Sequence, residues 1–124
     1  MIKFLSDVNI NGLLEAIEKS FSIKHPLKPG FRLVYGVVEG PEHSVYIRGN
    51  STGVIHLPED WKWLVDCDTI TVQITPTGKA QSLYVDSICD DRIIVKSRAK
   101  NISFYYYVQA TRKDIPKIQT LKEE

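Results

Sequence analysis

Two pairs of neighbouring carboxylates, Glu39 with Glu42 and Glu59 with Asp60, are the first residues in this chain whose types and spacing suggest chemistry. Paired carboxylates do the acid and base work of glycoside hydrolysis. Both pairs sit beside proline in turn-like stretches, where solvated carboxylates ordinarily lie, so a polysaccharide-degrading enzyme ranks only third among the functions considered. His25, His43 and His56 have no ligand spacing of the HxxxH kind, so no metal site is assigned and the histidines are expected to face solvent. Cys67 and Cys89, in Asp-Cys-Asp and Cys-Asp-Asp contexts, are too few for a disulfide framework or a CxxC zinc site. Two free thiols are expected, with a bridge between adjacent hairpins as the alternative. There is no GxSxG motif, and Thr77-Gly78-Lys79 lacks the upstream glycine of a phosphate-binding loop. No catalytic residue, cofactor or metal is assigned, and the chain is expected not to be an enzyme.

The aromatic residues carry more information. Phe104-Tyr105-Tyr106-Tyr107 run consecutively, and side chains alternate across a strand, so rings stand on both of its faces. Such a strand is expected to be covered twice, once by its own core and once by a helix of the same chain or by a partner subunit. Tyrosines bordering a glycan site are a third option. Trp63, Phe104, Tyr105 and Tyr107 are therefore the candidate interface residues. Symmetric association, as a homotrimer, would hide the second face and protect strand edges.

These residues need elements to hold them, and the chain is organised around Gly53–Pro76. In Thr69–Thr75 the apolar Ile70, Val72 and Ile74 alternate with Thr69, Thr71, Gln73 and Thr75, the period of a half-buried strand. Ahead of it, Val54, Ile55 and Leu57 end at Pro58. The following stretch suits one helical turn, with proline at its start and Glu59 and Asp60 near its positive end. Trp61 and Leu64 share the buried face of that turn, leaving Trp63 partly exposed or in an interface. Elsewhere, Met1–Ile10 reads as a weak strand. Asn11–Phe21 reads as a helix through Leu13, Leu14, Ile17 and Phe21, against a hairpin turn at Asn11-Gly12. Phe31–Val38 reads as a central or covered strand. Ser44–Arg48, Ser82–Ile88, Arg92–Ser97 and Ile102–Thr111 are further strands at short, regular spacing. The fold class is all-β: an antiparallel β-sandwich or barrel-like domain with one short helix, near the N-terminus or at Pro58–Leu64.

Bulk properties narrow the partners. Sixteen Lys+Arg against 15 Asp+Glu leave a formal charge of +1, which argues against a large nucleic-acid footprint. No apolar run approaches the length of a membrane span, and Met1–Asp7 lacks a signal-peptide pattern, so synthesis in the cytoplasm without a membrane partner is expected.

A set of ordered segments resembles a module of bacteriophage tail-fibre and related virion proteins. They are Phe21-Ser22-Ile23-Lys24-His25-Pro26, Val38-Glu39-Gly40-Pro41-Glu42, Val45-Tyr46-Ile47-Arg48-Gly49, Ile55-His56-Leu57-Pro58-Glu59-Asp60-Trp61, Ile70-Thr71-Val72-Gln73-Ile74-Thr75-Pro76 and Ala110-Thr111-Arg112-Lys113-Asp114. Order and spacing, more than any one segment, make the resemblance specific, and it spans Ser20 to Ile118. It implies residues 1–20 as a lead-in or oligomerisation segment, 21–118 as the tail-fibre-type domain and 119–124 as a tail. It further implies an architectural role in the virion of a phage. The chain has no repetitive shaft and no chaperone domain of the self-cleaving kind, so a short virion component bound to a larger assembly, itself trimeric, is expected. The alternative is a receptor-binding module for host surface glycan.

Overall fold

The computed structural model describes the whole of Met1–Glu124. The protein is all-β and antiparallel, sandwich-like in its larger part, with one short helical turn. Its contacts divide it into two units, Met1–Val37 and Val38–Glu124.

In the first unit, residues 1–19 form no helix or strand. Strand β1 (Ser20–Lys24) pairs antiparallel with β2 (Arg32–Gly36), from Ser20 opposite Gly36 to Lys24 opposite Arg32. Phe21 and Tyr35 face each other across the pair with ring centroids 5.5 Å apart. Four expectations are corrected here. The strand over Met1–Ile10 and the helix over Asn11–Phe21 do not form. An isolated helix of that length is marginal without a packed face, and Leu13, Leu14 and Ile17 are exposed, so no burial offsets the entropy of ordering it. Nor is Phe31–Val38 a covered central strand: β2 has β1 as its one strand partner, and Phe31, Val34 and Val37 are exposed. The fourth correction is His25, which is buried. Its Nδ1 accepts hydrogen bonds from the backbone N–H groups of Leu27 and Lys28, each at 3.0 Å, so it holds the turn after β1 where Pro26 has no N–H to offer.

The second unit follows its alternations closely. Strands β3 (Ser44–Ser51), β8 (Phe104–Thr111) and β5 (Thr71–Pro76) form one antiparallel sheet in that order. Strands β4 (Val54–His56), β7 (Arg92–Ser97) and β6 (Leu83–Ile88) form the other. The central strands carry the deepest side chains: Phe104, Val108 and Ala110 on β8, Ile93 and Val95 on β7. Val45 and Ile55 bury their side chains from the flanking strands. Between β4 and β5 the chain turns through helix α1 (Trp61–Leu64) and a 3₁₀ turn at Cys67–Thr69. Trp61 and Leu64 are fully buried and Trp63 is half-buried, its indole N–H donating to Asp60 Oδ1 at 3.1 Å. This corner is tied to the end of β8, because Asp66 N donates to the Thr111 carbonyl at 2.9 Å and Lys113 N to the Leu64 carbonyl at 2.8 Å. Cys67 and Cys89 are free, exposed thiols. No helix is long and apolar enough to cross a membrane.

Candidate functional site

Strand β8 lies at the centre of its sheet, so Tyr105, Tyr107 and Gln109 on its outward face are flanked on both sides. The registers form rows. Arg48, Tyr107 and Gln73 make one, Asn50, Tyr105 and Thr75 the next, and Tyr46, Gln109 and Thr71 a third. The alternate residues of β8, Phe104, Tyr106, Val108 and Ala110, face inward against Ser51, Gly49, Ile47 and Val45 of β3. A Cβ built on Gly49 would stand 2.8 Å from the Tyr106 hydroxyl oxygen and 3.0 Å from Cζ, so the absence of a side chain there lets the Tyr106 ring lie across β3.

The first two rows, with Gly49 and Tyr106, line an open groove of about 560 Å³. That volume is within the range of small-ligand sites. A smaller hollow of about 250 Å³ shares Asn50 and Tyr105 with it and is completed by Ser51, Thr52, Thr77 and Ser103. Tyr105 therefore borders both hollows, and it is 57% exposed. Tyr107 is held in place. Its ring stacks on Tyr46 at 5.3 Å and 10°, its hydroxyl donates to Gln109 Oε1 at 3.0 Å, and Gln109 Nε2 donates to Ser44 Oγ at 2.9 Å.

The sequence-derived candidates separate on this surface. Tyr105 and Tyr107 come together on the outer face. Phe104 does not: at 0% exposure it belongs to the chain's own core, which corrects its assignment as an interface residue. Of the two covers expected for this strand's second face, a helix of the same chain is not there: the inner face is buried while Tyr105 stays exposed. Trp63 lies off the sheet, on α1. Arg48, Asn50, Gln73 and Thr75 were not singled out by the sequence, because their place beside the tyrosines depends on a register between strands far apart in the chain.

Among the carboxylate candidates, Glu42 and Asp60 are engaged in structure. Glu42 Oε2 accepts from Thr111 Oγ1 at 2.7 Å, and Asp60 holds the Trp63 indole. His25, His43 and His56 belong to three separate segments, the turn after β1, the lead into β3 and the end of β4. A second hollow of about 530 Å³ lies where residues 115–118 follow β8. Several polar groups at its wall are paired within the chain: Arg112 forks onto Asp114 at 2.9 and 2.7 Å, and Asp66 Oδ1 accepts from Asp68 N.

Comparison with protein-family models, curated proteins and solved structures gives no match.

Proposed function

We propose that the chain is a structural component of a bacteriophage virion, of tail-fibre or appendage type, that assembles as a homotrimer and attaches to a larger virion protein. One observation supports it above the others. Met1, Ile2, Phe4, Leu5, Val8, Ile10, Leu13, Leu14 and Ile17 are all exposed, in a segment with no helix or strand. Soluble monomers rarely leave so much apolar surface uncovered in one stretch. A segment of that kind gains order and burial together when it meets a partner. The segments that resemble a fibre module imply the threefold symmetry, and closed symmetry satisfies identical arms with identical contacts.

The test is sedimentation of the full-length protein at micromolar concentration, with mass spectrometry of purified virions beside it. The expected species has about three times the 14.1 kDa of one chain. Replacing Leu14 and Ile17 by aspartate should give a monomer with an unchanged unfolding midpoint. A compact monomer together with absence from virions would overturn the reading.

A further inference from the structure

The groove on the outer face of β8 combines one held side chain with several that make no bond within the chain. Tyr107 is fixed by the Tyr46 stack and by the Gln109 and Ser44 hydrogen bonds. The side chains of Arg48, Asn50, Gln73, Thr75 and Tyr105, all exposed, make no hydrogen bond or ion pair within the chain. A rigid ring thus forms part of a floor around which uncommitted donors and acceptors converge. The held ring of Tyr107 lowers the ordering cost of binding, while the exposed side chains around it are ordered by the ligand.

We propose that this groove binds an acidic saccharide, with a sugar carboxylate on Arg48 and a pyranose ring against Tyr105. The chemistry of the lining selects the class. The electron-rich face of a tyrosine ring attracts the weakly positive C–H edge of a pyranose. Planar amide and guanidinium groups, here Asn50, Gln73 and Arg48, match the donor and acceptor pairs of adjacent hydroxyls. Arg48 is the one charged residue lining either hollow, and neither contains a carboxylate. An anion meets complementary charge there, and its two oxygens fit the guanidinium fork. The smaller, hydroxyl-rich hollow shares Asn50 and Tyr105 with the groove, so a chain of sugars on the Tyr105 ring has further hydroxyl partners beside it. A single-stranded nucleic acid also stacks on aromatic rings, but it requires a track of positive charge along its backbone. One arginine does not supply that track.

The experiment is a titration of the full-length protein, followed by amide NMR, to millimolar saccharide. The acidic probes are tetrasaccharides of glucuronate with N-acetylglucosamine, of galacturonate and of α2,8-linked sialic acid. Maltotetraose and cellotetraose are the neutral probes, and an oligothymidylate is the nucleic-acid probe. At least one acidic saccharide should bind saturably, more tightly than both neutral ones, and shift the amides around Arg48, Gln73 and Tyr105. Losing a hydrogen-bonded charge pair costs about tenfold or more in affinity. Arg48→Gln should therefore weaken acidic binding by about that factor and erase the preference over neutral sugars. Tyr105→Ala should weaken both classes, with the unfolding midpoint of each variant confirming that the fold is intact. Absence of saturable binding by all the acidic probes, equal affinity for neutral ones, tighter binding of oligothymidylate, or indifference to Arg48→Gln would each overturn the proposal. Because the readout is a surface of the second unit, it can fail while the trimer stands, and the reverse.

Discussion

Trp61 is the largest fully buried side chain in the molecule, and its indole N–H has no hydrogen-bond partner within the protein. Its contribution is therefore volume and apolar area. Trp61→Ala is expected to cost about 3–5 kcal/mol in chemical denaturation, the usual range for truncating a large aromatic in a core. Trp61→Phe, which gives up no hydrogen bond, should cost clearly less than the alanine substitution. Equal losses for the two would show that something other than packing holds this corner. Gly49 is the opposite case, a position fixed by what it lacks. Gly49→Ala drives a methyl group into the Tyr106 ring and is expected to destabilise by about 1–3 kcal/mol, as overpacking does. The same denaturation measurement checks it, and Gly49→Ala combined with Tyr106→Val should recover part of the loss because the clash is then gone.

At the scale of elements, the entry into β8 is the point on which the tyrosine face depends. Thr77 N donates to the Ser103 carbonyl at 3.0 Å, and the two side-chain hydroxyls meet at 2.9 Å. Gln81 then closes the junction: its Nε2 donates to the carbonyls of Thr77 and Ser103 at 2.9 and 3.0 Å, and its Oε1 accepts from Ser103 N at 3.0 Å. Gln81→Ala leaves several half-buried backbone groups without this partner, so a loss of about 1–3 kcal/mol is expected. Larger NMR shift changes should appear at Phe104 and Tyr105 than at Ala110, at the far end of the strand. Uniform changes along β8 would deny Gln81 this local role. The elements of the second unit were legible because each has its own alternation and an apolar partner. Ile70, Val72 and Ile74 marked β5, and Trp61 with Leu64 marked a one-turn helix that is indeed there. The Asn11–Phe21 spacing was just as regular, yet periodicity states only which face would be buried. With Leu13, Leu14 and Ile17 exposed, no helix results. The candidate groove was half legible. A run of tyrosines announces itself, whereas Arg48 and Gln73 reach Tyr107 through pairings that span 59 and 34 residues, respectively.

At the scale of the whole molecule, the two units have different claims to stability. The second draws on two sheets whose central strands carry fully buried side chains, while the first offers one two-stranded pair and a long lead-in without helix or strand. Backbone amides exchange with solvent according to the free energy of opening their local hydrogen bonds. Amides of Val108 and Val95, on the central strands, should therefore exchange slowest and at rates independent of protein concentration. Those of residues 1–19 have no ladder to protect them and should exchange quickly in dilute solution. If the exposed apolar side chains of that segment are what the assembly covers, their protection has to follow mass action, rising as monomer converts to trimer. Hydrogen exchange read by mass spectrometry across a dilution series checks this directly. The expected result is a concentration-dependent slowing confined to peptides from the first unit, lost in the Leu14→Asp, Ile17→Asp variant. Fast exchange in this segment at every concentration, in a sample shown by sedimentation to be trimeric, would place the contact elsewhere and return the outer face of β8 to consideration as the surface through which copies meet.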